Sequence, residues 1–359
     1  MVSGLEAVQY AGASSRVRGM RSRLLSSDLW QPLILAESFD QAVAVLARSD
    51  YGPLLSGPAT VDGRLDLERA ERRLLGRAAG DCRRAMTMLR GDAQRMVQTW
   101  WQHYEMDNLK AVFRGVQMGI TPQRIRDYMI PLEGHSRLPW EVLLHERTIN
   151  GLIDRLRGSR YVNPLLNAYP SYQRDDSIFY LEVAVDVRYY RDIAVGIGQL
   201  SRGDQAQAKS VLGTHVDILN LLWAYRYRIY YSLSAEEIVN YTIWHTFRTD
   251  VDLVRDIALG ASPIDIVTRV WGAGAVDTAE LAAIEDQQRM LPRLELMLKR
   301  YWRRLAARQM RGYPFGLGAI LGYLVVAELE VEDLVTVLES KRLGWVPERI
   351  RDHLIRGEE

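Results

Sequence analysis

Cysteine is almost missing from this chain: its 359 residues include one, Cys82. A lone cysteine can form no disulfide within the chain, so packing has to hold the fold, and a reducing, cytosolic setting is expected. Lysine is scarce as well, only four of the 46 cationic side chains, the rest being arginine. With 45 acidic side chains the net charge is +1. That balance leaves no electrostatic footprint for general nucleic-acid binding or for a polybasic membrane anchor. Long apolar runs are also lacking. The longest uncharged stretch, Gly312 to Ala327, has sixteen residues, short of the roughly 20 that a spanning helix needs. A helix buried in protein is expected there instead. The opening MVSGLEAVQYAGASS has no basic start leading into an apolar core, so no signal peptide is expected. These absences predict a soluble or peripherally attached chain. Period-2 alternation is sustained nowhere, which leaves an all-α fold.

Catalytic signatures are missing too. Gly316, Gly318 and Gly322 spell G-x-G-x-x-x-G, one residue off the dinucleotide fingerprint, and no strand pattern precedes them. The string GDQAQAKS from Gly203 lacks the second glycine that lets backbone wrap a phosphate. HERTI at His145 lacks the second histidine of a zinc helix. Asp175-Asp176 would suit the Mg²⁺ site of an all-helical terpene synthase only with a third acid at the fifth position, where Phe179 stands. No spacing singles out a Ser-His-Asp triad. No catalytic residue, cofactor, metal, nucleic acid or small-molecule substrate is therefore expected.

What the sequence does hold is a repeat. EMDNLKAVFRGVQMGITPQRIRDYMI from Glu105 matches EVEDLVTVLESKRLGWVPERIRDHLI from Glu330, and DILNLLWAYRYRIYYSLSAEEIVNYTI from Asp217 is a third copy. The leading acids stand 112 and 113 residues apart. An Arg-Gly-Asp lies fifteen residues before Glu105 and again fifteen before Asp217; Arg311-Gly312-Tyr313 lies nineteen before Glu330. The bland reading of that tripeptide, preferred to an adhesion motif, is that Gly ends one helix and Asp caps the next. Further upstream, LARSDYGPLL at Leu46 matches LRGSRYVNPLL at Leu156, and VTRVWGAG from Val267 is a weaker third version. The chain is therefore expected to consist of three related units of about 110 residues. The expected division is a helical preamble at 1–30 and repeats at 31–140, 141–255 and 256–359.

In each copy the apolar residues follow helical spacing: Leu109, Val112, Phe113 and Val116; then Ile218, Leu221, Leu222 and Tyr225; then Leu334, Val337 and Leu338. These are amphipathic helices with one buried stripe. Thr121-Pro122 then gives an N-cap followed by proline at the first helical position. Ser234 and Glu237 form a capping box at the matching place. The acids are the odd residues, because Glu105, Asp217 and Glu330 each fall four before a stripe leucine. A carboxylate in a dry interior is costly unless paired or hydrogen-bonded. Either each acid is held by an arginine or backbone of its own lobe, or some face a shared polar cavity and meet a partner.

The order and spacing of these pieces resemble the C subunit of the prokaryotic V/A-type rotary ATPases, the counterpart of the d subunit of the eukaryotic enzymes. YAGASSRVRGMRSRLLS is similar to the family's first helix, YEMDNLKAVFRG to its first acid motif, and YPFGLGAILGYLVVAELEVEDLVTVLESKRLG to its most specific segment. The motif residues carried over are Asn108, Lys110, Asn220, Asp333 and Lys341. The copies depart from the pattern in having Trp223 and Tyr225 and no lysine at the place of Lys110, and Asp333 for asparagine. The resemblance implies three helical lobes arranged as a funnel around a central cavity. It implies a non-catalytic rotor adaptor, one copy per complex, peripheral on the cytoplasmic side of the membrane. Its partners would be the proteolipid ring below and the axle above, which the D and F subunits form. Short of the resemblance, a helical-repeat scaffold for soluble partners comes next, and an all-helical enzyme after it.

Overall fold

The computed structural model describes residues 4–132, 135–231, 233–244 and 246–357, with side chains from Tyr10 onward. Among these residues the fold is all-α apart from one two-stranded ribbon, Thr60–Val61 against Arg64–Leu65. Helices α1 (Gly4–Arg21), α2 (Ser27–Leu35) and α3 (Phe39–Leu46) lead into the first long pair, α4 (Leu67–Met86) and α5 (Gly91–Gln117). Short helices α6 (Pro122–Asp127), α7 (Trp140–His145) and α8 (Ile149–Arg155) follow, then α9 (Val162–Asp175). The second pair is α10 (Phe179–Gln199) and α12 (Thr214–Tyr230), with α11 (Arg202–Ala208) and a π-turn at Lys209–Gly213 between them. After α13 (Ala235–Tyr241), α14 (Val251–Ala258) and α15 (Pro263–Trp271) come the third pair, α16 (Gln287–Arg311) and α17 (Leu317–Arg342), and last α18 (Pro347–His353).

The helix starts follow local chemistry. Thr121 and Val346 precede prolines at the first position of α6 and α18, where the missing N–H costs nothing. Ser234 and Glu237 complete their capping box at α13. The Arg-Gly-Asp expectation is corrected. Arg90 sits at the extended N-cap position of α5 and Gly91 has φ +59°, so the glycine opens a helix rather than closing one. Asp92 is already inside the first turn, too far in to cap, though its charge suits the positive helix end. At the second copy Ser201 caps α11 and Asp204 lies within its first turn.

Packing turns the three pairs into a closed cycle. α5 packs on α10, α12 on α16 and α17 on α4, so each motif helix lies against the first long helix of the next pair. The last contact joins the end of the chain to its beginning. It is reinforced by a separate apolar cluster in which Leu33, Leu46, Tyr51 and Leu74 meet Leu334, Val337, Leu338 and Ile350. Each such side chain contributes about 1.5–3 kcal/mol when fully buried. The apolar stretch noted in the sequence is the first half of α17. It is buried nearly all round, against α1, α4, α11 and α16, as a helix without a polar face must be. Its glycines serve that packing: a Cβ at Gly322 would lie 2.4 Å from the Ala306 carbonyl oxygen and 2.7 Å from the Met310 nitrogen. α16 and α17 can touch backbone to backbone only because that position is bare.

Candidate functional site

The motif residues resolve into repeated contacts. Three residues after each acid, a side chain reaches an isoleucine just past the end of the following short helix. Asn108 accepts from the Ile130 N–H (2.7 Å) and donates to the Ile130 carbonyl (2.8 Å). Asn220 accepts from the Ile243 N–H (2.8 Å) and donates to the Thr249 hydroxyl (3.3 Å). Asp333 accepts from the Ile355 N–H (2.6 Å) and the Arg356 N–H (3.0 Å). Burial pushes the Asp333 carboxyl up to about 7 against the pull of those two bonds. One side chain thus folds each short helix back onto its motif helix, satisfying backbone groups that a loop would otherwise leave bare.

The acids themselves are buried, 6, 1 and 8% exposed for Glu105, Asp217 and Glu330. Glu105 accepts from the Ser136 hydroxyl (2.5 Å) and the Tyr161 hydroxyl (3.2 Å). Glu330 accepts from the Leu25 N–H (2.8 Å) and the Tyr51 hydroxyl (2.6 Å). Asp217 gathers four donors on one oxygen: the N–H groups of Phe247 (3.0 Å), Arg248 (2.9 Å) and Thr249 (3.2 Å), and the Thr249 hydroxyl (3.0 Å). Burial raises the pKa of Asp217 and of Glu330, and the hydrogen bonds pull each back down. These bonds come from hydroxyls and backbone amides rather than from arginine. Tyr51 and Tyr161 are the tyrosines of the two Ser-x-Tyr flanks, and in both Ser49 and Ser159 take the tyrosine's own N–H (3.1 and 3.2 Å). The flank of one unit therefore holds the acid of the unit before it, and Tyr51 does so across 279 residues.

Lys110 bridges Asp186 (2.8 Å) and Asp107 (3.4 Å), tying α5 to α10. Burial opposes its charge, but the two carboxylates outweigh it and raise its pKa; burial likewise pushes Asp186 up to about 6. Lys341 is buried on α17, its pKa lowered first by burial and then by Arg351. Thirteen residues past each acid the motif helices end on exposed apolar side chains: Met118 (74%), Tyr230 (51%) and Leu343 (64%). Among the described residues no cluster of His, Cys, Asp and Glu could hold a metal ion, and no helix is long and apolar enough to cross a membrane.

The family described as ATP synthase (C/AC39) subunit matches residues 13–353. The chain belongs to that family. It is similar to the C subunit of the A-type ATP synthase of Methanocaldococcus jannaschii, at 22% identity covering 98% of this chain and 87% of that one. The counterpart from Methanosphaera stadtmanae is 23% identical over 96% of this chain and 86% of its own. That of Archaeoglobus fulgidus is 21% identical over 95% and 94%. The chain is thus a non-catalytic member of a rotary ATPase complex.

In this C/AC39 protein several site residues lie outside the acid motif. His103, His215 and Glu328 each stand two residues before an acid, and the fold brings them into one buried aromatic cluster. His103 Nε2 lies 3.2 Å from Glu328 Oε2. The Trp100 ring touches both histidines, at centroid distances of 4.8 and 5.7 Å, and His215 stacks on Trp302 at 4.0 Å. The shared offset was visible in the sequence; the mixed residue types hid it. Asp204, the acid of the second Arg-Gly-Asp, takes the Tyr10 hydroxyl (2.7 Å) and the Leu317 N–H (3.4 Å), so it anchors the start of α17.

Proposed function

We propose that this protein is the rotor socket of its complex. It would seat the axle, formed by the D and F subunits, in a central cavity between three helical lobes. It would rest on the membrane ring of proteolipid subunits on the cytoplasmic side, one copy per complex. Torque would pass through it in either direction of ion flow. The observation that carries this reading is the closed cycle of three helix pairs, each motif helix locked to the next pair. A cycle with no free end transmits a twist without unwinding, whereas an open stack of repeats contacts only neighbours and can splay. The repeated exposed side chains, Met118, Tyr230 and Leu343, support a ring-facing rim. Equivalent positions of a threefold repeat share one height along its axis, and exposed apolar groups in a set mark a contact surface.

The test is capture on the immobilised protein. Detergent-solubilised proteolipid ring and a purified D–F pair should each bind the wild-type chain. A variant carrying Met118→Glu, Tyr230→Glu and Leu343→Glu should lose the ring by at least about tenfold, roughly 1.4 kcal/mol, and keep the axle. Failure of the wild type to bind either partner would overturn the socket; loss of both partners in the variant would overturn the rim.

A further inference from the structure

We propose that His103 is a proton-gated tie that closes the cycle between the first and third units. The two units are far apart in sequence, so only side chains and packing hold their seam. His103 on α5 and Glu328 on α17 meet across it at 3.2 Å, and the Tyr104 hydroxyl reaches the same carboxylate oxygen, also at 3.2 Å.

The geometry favours the positive form of the histidine. Its Nδ1 lies 2.6 Å from the Trp100 carbonyl oxygen, and its buried Nε2, which makes no hydrogen bond, lies 3.2 Å from the Glu328 carboxylate. A carbonyl beside one nitrogen and a carboxylate at ion-pair distance from the other both favour the imidazolium. Burial opposes that charge, but Glu328 outweighs it and raises the His103 pKa above its ordinary value. The groups around it are Asp107 and Tyr104 on its own helix, Glu328 on α17, Tyr189 on α10 and His215 on α12, with Lys299 of α16 acting on His215 and Cys82 of α4 facing Glu328. His215, at the matching repeat position, has the opposite fate. It stacks on Trp302, and burial lowers it to about 3, so it stays neutral. Folding therefore moves the two histidines apart, favouring the charged form of His103 and the neutral form of His215. A pKa raised by folding stabilises the closed form at low pH, and that stabilisation is lost as pH rises through the folded value. Above it, a neutral imidazole would place one lone pair against an oxygen and leave Glu328 with the Tyr104 hydroxyl.

This tie is independent of which partners the protein seats. It is tested on the full chain by ¹³Cε1-histidine NMR across pH, following all six histidines, with His103→Gln to assign the signal. The expected His103 midpoint lies above 6.5, and Glu328→Gln, which keeps volume and a hydrogen-bonding oxygen, should lower it by at least about one pH unit. If His103→Gln does not fold, Glu328→Gln alone decides, since one histidine signal must then shift by that amount. Hydrogen exchange, corrected for its intrinsic pH dependence, should show protection at the α4–α17 seam falling above the midpoint while the α12–α16 seam holds. No shifted signal in Glu328→Gln, a midpoint at or below 6.5, or equal response of both seams would overturn the tie.

Discussion

The second acid and its two counterparts solve one problem by different means. Glu105 and Glu330 reach across to a tyrosine of the next unit and accept its hydroxyl, with a serine hydroxyl or one backbone amide completing the set. Asp217 is one methylene shorter and stays at home, where the 247–249 loop wraps three N–H groups around a single oxygen. The flank that supplies tyrosine elsewhere has Trp271 in its weaker third version, and an indole N–H cannot stand in at the same place. The difference teaches that a repeated acid is not a repeated interaction. In the first and third units it is a clasp between units; in the second it organises a loop.

The largest test of that contrast is Asp217→Ala. It strands three backbone N–H groups, each costing about 1–3 kcal/mol when buried unpaired. A loss of about 3–5 kcal/mol in urea unfolding is expected, with Asp217→Asn much milder because the accepting oxygen survives. Equal losses for the two variants would mean that charge, not the cage, holds the loop. Next comes Tyr51→Phe, which leaves Glu330 with the Leu25 N–H alone. A hydrogen bond to a charged group contributes about 1.5–3 kcal/mol, and Tyr161→Phe should cost less because Ser136 still serves Glu105. Reversal of that order would show that the two clasps are not alike. The smallest effect belongs to Asp333→Asn, which installs the residue type of the other two units. The Asp333 carboxyl sits at about 7 in the fold against 3.8 ordinarily. A raised carboxyl keeps its proton in the folded state while the unfolded chain releases it, so this group lowers stability as pH climbs from about 4 to 7. Melting temperature across that window should slope less in the variant than in the wild type. Identical slopes would remove Asp333 as the source.

Much of this was legible beforehand. The helical stripes, the capping box at Ser234, the prolines at α6 and α18 and the buried character of Gly312–Ala327 all follow from local rules that the fold obeys. The Ser-x-Tyr flanks were visible as a repeat but silent about their partner, because Tyr51 and Glu330 meet through topology rather than spacing. The Arg-Gly-Asp tripeptides misled for local reasons: Gly91, at positive φ, opens a helix rather than closing one, and Gly203 lies inside the first turn of α11. The His103–Glu328 pair was hidden because repeat matching looks for like residues, and here a histidine twice and a glutamate once occupy the same offset.

The cluster that joins residues 25–74 to 331–354 has a consequence for how the protein is made. A ribosome delivers Tyr51 279 residues before Glu330, which at about 5–20 residues per second is a delay of roughly 14–56 s. Through that interval Leu33, Leu46 and Leu74 have no Leu334 or Leu338 to cover them. Residues 25–74 are therefore made long before they are covered, and the nascent chain carries an uncovered apolar face throughout that interval. Holdase chaperones that bind such faces should hold this segment until Leu334 and Leu338 emerge to cover it.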